Sequence, residues 1–350
     1  MAKIGFLTRW NATCGVSVHA ELLASELMRK GHEVKVFAPS VFTADRYCPT
    51  HHVIGKDEDF VCRCYDEKHH EDVEGGGVDA QRILEEDIDF LIVESYSTLP
   101  QREVERISRK LRQRGVKVVA VIHEGRSDEL KYKDLRAFDR IVCFDSRYLR
   151  FLGDYEDIVE IIPYPCHPVR ASKRKFAEDK LRFFSYGVQP VWQYSDYVLA
   201  LRTLNCEFEY VVVRSDSLLP FRDKFLVQKR MRLSREEVYA FLHNSDIHLL
   251  PKGEPSRKDA VVVSSTLFLC LGSLVPTVVP NTKHFESLPT IDGVKPAVIY
   301  ENLEDLRMKI ERLIEDESFR ESVKRAALRY VEENSVEKIA DKFIKLLESI

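Results

Sequence analysis

"KIGFLTRWNATCGVSVHAELLASELMRKGHEVKVFAP" spans residues 3–39, and its reading decides the fold. Lys3–Leu7 is a short apolar run of the kind a buried parallel strand requires. A loop holding one glycine, Gly15, follows it. Val16–Lys30 then repeats apolar residues at helical spacing, with Leu23 and Leu27 on one face and Gly31 as its stop. Glu33–Phe37 is a second strand, closed by Pro39. Strand, glycine loop, helix and strand make a βαβ unit, whose helix N-terminus is a natural cradle for phosphate. The dinucleotide fingerprint G-x-G-x-x-G is absent, however, and no P-loop Lys-Ser/Thr follows Gly15.

The same alternation runs to the end of the chain. "DFLIVE" (89–94), "VKVVAVIH" (116–123) and "DRIVCF" (139–144) read as further buried strands, with a charged helix over Arg102–Arg114. The stretch 40–80 reads as irregular, with "EGGGV" (74–78) as a loop. "IIPYPCHPVRASKRK" (161–175) combines three prolines with a basic run and breaks the pattern. A second set of strands follows at 181–186, 208–213, 246–250, 275–279 and 297–300. Helices are expected near 195–204, 235–243, 260–271, 303–315 and 317–332, with a last one over 335–349. This predicts an α/β chain of two Rossmann-like, doubly wound domains facing a cleft. The expected parts are a domain over 1–165, a hinge over 166–180, a domain over 181–334 and a C-terminal helix (335–350) that crosses back to the first domain. Ligands of such sheets bind outside the carboxyl ends of the strands, so the cleft is the expected site.

At 350 residues the chain is long enough for two cores, and 44% of it is hydrophobic. A net charge of −4 excludes the basic excess of a nucleic-acid binder. Charged residues make up 31%, above the usual quarter, which leans toward the ion-pair-rich surface of a thermophile. No apolar run approaches a membrane span, and the chain enters a strand at Lys3 with no leader-like stretch, so a cytoplasmic protein is expected. The eight cysteines form no C-x-x-C pair and read as reduced, buried small hydrophobes.

With these segments in view, the chain resembles the GT-B glycosyltransferases, specifically the large retaining family four. "CGVSVHAELLASELMRKGHEVKVF" resembles the family's opening, "KVVAVIHE" its strand ending in Thr-x-His, and "FDRIVCFDSRYLRFL" the segment after it. "IIPYP" stands where the family has Ile-Pro-Asn-Gly, and the stretch from "SREEVYAFLHNSDIHLLPKGEPSRKD" through "VPTVV" resembles the donor-site region. The resemblance implies an acceptor side on the first domain and a nucleotide-sugar side on the second. It implies a metal-independent hexosyl transfer with retention, the nucleotide-sugar being a substrate and no cofactor being needed. The acceptor would be a sugar, a lipid-linked molecule or a small molecule, and peripheral contact with a membrane is compatible with this.

The resemblance also assigns residues. Gly15, Val16, Ser17 and His19 would border the acceptor. Ser17 can instead cap its helix, and His19 can simply be packed. His123 would contact the acceptor or the transferred sugar, and Asp259 would stand for the family's first donor-site acid. Gly187 keeps the glycine of the family's "G-R-x-x-x-x-K-G", but Val188 replaces the Arg and Gln193 the Lys, and no second acid occurs before Glu286. A departing diphosphate needs fixed cations. Lys252, Arg257 and Lys258, ahead of a helix expected from Asp259, are the replacements on offer. The alternative is a catalytically degenerate GT-B-like binding or regulatory protein.

Two further clusters carry chemistry. Cys48, Cys62, Cys64, His69 and His70, with His51 and His52, could gather around zinc, although C-x-C is not a usual zinc spacing. "DID" (87–89) looks like a metal-binding D-x-D but precedes its strand, so it reads as a strand entry, and no metal site is expected from it. Asp145 and Ser146 read as a turn and helix cap.

Overall fold

The computed structural model describes all residues except 48–52, 70–71, 73–74, 131–133 and 256–258. Two compact units form. The first contains Met1–Pro165, the described part of 257–263, and Val336–Ile350. The second contains the described part of 166–256, and Ser264–Ser335.

In the first unit the described residues build one eight-stranded sheet. Its strands are β1 (Lys3–Leu7), β2 (Glu33–Pro39), β3 (Val61–Asp66), β4 (Gly77–Val78), β5 (Phe90–Glu94), β6 (Lys117–Val121), β7 (Arg140–Cys143) and β8 (Val159–Ile161). Their order is β4-β3-β2-β1-β5-β6-β7-β8, parallel throughout except for the β3–β4 pair. β5 and β6 are the apolar runs of the sequence, buried on both faces because helices cover them. Between β1 and β5 the winding reverses, which makes this the switch point of the sheet.

In the second unit six parallel strands follow the order β11-β10-β9-β12-β13-β14. They are β9 (Leu181–Tyr186), β10 (Phe208–Arg214), β11 (Leu226–Arg230), β12 (Ile247–Leu249), β13 (Thr277–Pro280) and β14 (Val298–Tyr300). Relabelled by chain order this is the 3-2-1-4-5-6 winding of a dinucleotide-type sheet, with its switch point between β9 and β12. The core beneath it includes Phe183, Tyr194, Tyr197, Tyr210 and Leu249, each essentially without exposure.

Two expectations about elements are corrected here. The stretch 40–80 is not irregular: it holds the helix Val41–Tyr47, strands β3 and β4, and the start of the helix Ala80–Leu84. The helix expected over 260–271 begins only at Ser265, because Ser264 caps it by accepting the Leu267 N–H and the β-branched run Val261-Val262-Val263 resists helix. The boundary between the units falls at Pro165/Cys166, where the expected hinge begins, and the stretch 166–180 groups with the second unit. Its N–H groups at His167, Arg170 and Ser172 donate to the carbonyls of Phe268, Gly272 and Ser273. The final helix, Val336–Glu348, belongs to the first unit, where Glu337 and Asp341 pair with Arg29, which ends the helix Gly15–Arg29, and with Lys30, which caps it, at 3.3 and 2.7 Å. No described helix is long and apolar enough to cross a membrane.

Candidate functional site

The two switch points each carry a group of polar side chains, and each is described within its own unit. In the first unit Glu94 is the last residue of β5 and is 1% exposed. His19, on the first turns of the helix Gly15–Arg29, and His123, two residues past β6, both turn onto it. His19 Nδ1 lies 3.0 Å from each carboxylate oxygen of Glu94, and His123 Nε2 lies 3.0 Å from Oε2. The rings of Phe144, Tyr164 and Phe343 wall the group in. Burial alone would raise the Glu94 carboxyl, but the two histidines outweigh it and hold it at about 2.

The ligand atoms of His19, Glu94 and His123 lie within 4.8 Å of one another, a spacing that a divalent transition ion could bridge. A histidine bound to metal ordinarily donates its other ring N–H to a partner. His19 Nε2 is buried with no partner among the described residues, so the three residues fit a hydrogen-bonded network better than a metal centre.

The loop ahead of this group settles the question raised by its glycine. The Asn11 N–H donates to Glu21 Oε1 at 3.1 Å, and the Ala12 N–H to Ser17 Oγ at 2.9 Å. Ser17 Oγ in turn donates to Glu21 Oε1 at 2.6 Å, and Tyr164 Oη donates to the Gly15 carbonyl at 2.6 Å. The Asn11 and Ala12 amides of the loop are thus turned inward, onto Glu21 and Ser17. Gly15 and Val16 are half-buried, at the start of the helix rather than in the loop. Ser17 and His19, expected beside the acceptor, are both fully buried, Ser17 bonded to Glu21 and His19 to Glu94. The N-cap is Cys14, not Ser17.

Next to this group a second buried pair was missed altogether. Arg9 donates through Nε and Nη2 to the two oxygens of Glu67, at 2.7 and 2.8 Å, just past the ends of β1 and β3. Past β6, Gly125 is pressed against the segment that contains Asp259. A Cβ at Gly125 would overlap the Val261 carbonyl, and the Val261 N–H donates to the Gly125 carbonyl at 2.8 Å. Asp259 is exposed and groups with the first unit, so the expectation that it opens a donor-side helix is corrected. Arg257 and Lys258 lie outside the described residues.

In the second unit Gly187 follows β9 with φ +122°, where a Cβ would collide with Gln189. Its carbonyl accepts from Tyr194 Oη at 2.9 Å. Lys252 follows β12, directly across the switch point. The next residue, Gly253, lies so close to the helix Trp192–Leu201 that a Cβ would come within 2.5 Å of Gln193 Nε2 and of the Trp192 ring. The backbone next to Lys252 thus runs against the helix start that carries Gln193. It is half-buried, has no hydrogen-bond or ion-pair partner among the described residues, and burial lowers its pKa. The buried Arg214 close by is already committed: it donates to the carbonyls of Gln189 and Ser217 and to Asp216. The side-chain oxygens of Gln189 and Gln193 are buried without partners among the described residues.

The remaining motifs resolve as follows. Cys48, His51, His52 and His70 lie outside the described residues. The Cys64 thiol is pushed up to about 12 by burial, so it stays protonated at neutral pH, and Cys62 Sγ accepts from Arg82 Nη1 at 3.5 Å. In "DID", Asp89 accepts the Lys3 N–H at 2.8 Å and Asp87 pairs with the Lys3 ammonium, as a strand entry does. Asp145 caps the short turn at Ser146–Tyr148.

No protein-family model matches the chain. Among solved structures it is similar to Anabaena Alr3699/HepE in complex with UDP and glucose, at TM-score 0.65 and 12% identity, with 100% of each chain covered. It is similar to an alpha-glucosyltransferase in complex with UDP, at TM-score 0.66 and 11% identity, with 99% of this chain and 100% of that one covered. It is also similar to the calicheamicin glycosyltransferase CalG4, at TM-score 0.53 and 11% identity, over 100% and 99% of the two chains. At these identities the likeness concerns architecture, and the two-sheet α/β fold of this chain is the GT-B fold of those glycosyltransferases.

Proposed function

We propose that the protein is a glycosyltransferase that moves a sugar from a nucleoside-diphosphate donor to an acceptor hydroxyl. The observation that carries this reading is Lys252. A half-buried lysine without a carboxylate partner is costly to keep unless something anionic comes to it. It stands at the switch point of a dinucleotide-type sheet, beside Gln193, where the resembled family places its lysine. In this reading Lys252 replaces that lysine, and the helix start at Trp192 adds its N-terminal dipole. The departing diphosphate builds negative charge, and a fixed cation lowers the barrier as that charge develops.

Solved structures of the same fold hold UDP, or UDP with glucose, which supports a uridine diphosphate sugar as the first donor to test. On the acceptor side, His123 braced by Glu94 is the imidazole at a strand end, where a ligand hydroxyl would meet it. Retention at the anomeric carbon rests on the resemblance to family four alone.

A second reading has an observation of its own: Val188 and Gln193 leave the family's two cation positions without charge. A GT-B-like binding protein would tolerate that loss. A screen of UDP-, GDP- and ADP-sugars against the full chain separates the two. Binding followed by release of the nucleoside diphosphate in the presence of sugar acceptors supports the enzyme. Binding without turnover supports the second reading, and no binding at millimolar ligand contradicts both.

A further inference from the structure

Tryptophan occurs twice in the chain, and the two residues are placed in opposite ways. Trp10 is 3% exposed, donates through Nε1 to Glu58 at 2.9 Å and meets the Phe60 ring edge to face. Trp192 is 62% exposed. A single exposed apolar side chain needs no explanation of its own. What sets Trp192 apart is its position and its neighbours.

Trp192 opens the helix Trp192–Leu201, which follows β9 at the switch point of the second unit. A Cβ on Gly253 would lie 2.5 Å from Trp192 Cη2, so the outer edge of the six-membered ring rests on the backbone next to Lys252. The indole is thereby anchored at its edge, while most of its area stays open. Gln189 and Gln193 flank it in the chain. Both are half-buried, and the side-chain oxygen of each has no partner among the described residues. An amide offers an acceptor and a donor side by side. The edges of uracil, adenine and guanine each carry a donor next to an acceptor, so an amide complements any of them. A cation, an open flat apolar face and neutral amides thus meet at one switch point. These are the groups that the phosphates, the face and the edge of a nucleoside diphosphate each need.

We propose that Trp192 is the platform on which the base of the nucleotide donor stacks, next to the diphosphate held by Lys252. This rests on the reading of Lys252 as the diphosphate site. Every base has a π-face, so stacking on an aromatic ring tolerates any of them. Trp192 therefore adds affinity for the nucleoside part of the ligand and none for the phosphates.

The test uses the full chain. UDP, GDP, ADP and inorganic pyrophosphate are titrated in, with binding read by calorimetry. Tryptophan emission is read in parallel, excited at the red edge of the indole band, where the bases do not absorb. In the unaltered protein the bound nucleotide should quench the emission to saturation, and pyrophosphate should not. Trp192→Phe keeps Trp10 as its one tryptophan and keeps a stacking ring, so it should bind nucleotide with an emission that no longer responds. Trp192→Ala should bind the preferred nucleotide about 5- to 150-fold more weakly and pyrophosphate as tightly as before, with its thermal unfolding in the absence of ligand unchanged. Nucleotide binding without quenching, quenching that persists in Trp192→Phe, or an unchanged nucleotide affinity in Trp192→Ala overturns the stacking role and leaves the Lys252 reading standing. Equal weakening of nucleotide and pyrophosphate in Trp192→Ala does the same. If neither pyrophosphate nor any nucleotide binds the unaltered protein, the two fail together.

Discussion

His19 Nδ1 lies 3.0 Å from both oxygens of Glu94, although 75 residues separate the two in the chain. The helix after β1 and the end of β5 are adjacent because the sheet reverses its winding there, so the pair exists only as a product of topology.

Removing the carboxylate leaves two imidazoles without the acceptor they are arranged around. Glu94→Ala should therefore destabilise the first unit by about 3 kcal/mol, and Glu94→Gln by less, since its amide oxygen still accepts. Urea unfolding checks this through a lowered midpoint with the slope unchanged. Because Glu94 is held at about 2 against an ordinary 4.5, its stabilising contribution is present above pH 4.5 and is lost as the pH falls toward about 2.

The second unit responds to acid over a different range. Burial holds His167 and His248 at about 3, against an ordinary 6.5. On acidification the unfolded chain takes up these protons first, so stability falls as the pH drops below 6.5 and levels off near 3. Two such groups give a slope of up to about 2.7 kcal/mol per pH unit, at about 1.4 for each proton. His248→Leu should roughly halve it, as measured by urea midpoints between about pH 6 and pH 4. An unchanged slope would mean that His248 is protonated in the folded protein.

Gly125 tests how the segment after Asp259 is held. With Ala at this position a methyl group meets the Val261 carbonyl, and the hydrogen bond from the Val261 N–H must open. Overpacking combined with a lost hydrogen bond predicts a cost of about 2–3 kcal/mol. Gly153→Ala, at a glycine with open space around it, is the control and should cost far less.

Much of the architecture was legible because buried parallel strands leave continuous apolar runs, such as "FLIVE" and "VVAV". β3 left a signal in that "VCRCYD" alternates as a strand does, but it was not placed because its charges interrupt any apolar run and it pairs on one side with only a two-residue strand. The start of the helix Ser265–Leu271 was misplaced because "AVVVSSTLFLCL" is apolar throughout; the signals available were the β-branched run and the paired serines. At the first switch point His123 was legible from the end of its strand. Glu94 had a signal too, as an acid closing an apolar strand, but its pairing with the two histidines did not. No local pattern in the sequence says that His19 faces inward, since that depends on a residue from another βα unit. The capture of the Asn11 and Ala12 amides by Glu21 and Ser17 lies within one βα unit, but it depends on loop geometry that no spacing pattern shows.

The central claim is that Lys252 receives the diphosphate of a nucleotide-sugar donor, and the most direct test is calorimetric titration of UDP, GDP and ADP into the unaltered protein and into Lys252→Met. A hydrogen bond to a charged group is worth about 1.5–3 kcal/mol, so the variant should bind the preferred nucleotide about 10- to 100-fold more weakly, with its thermal unfolding in the absence of ligand unchanged. Equal affinity in the two proteins, or no binding of any of the three at millimolar concentration, would contradict it.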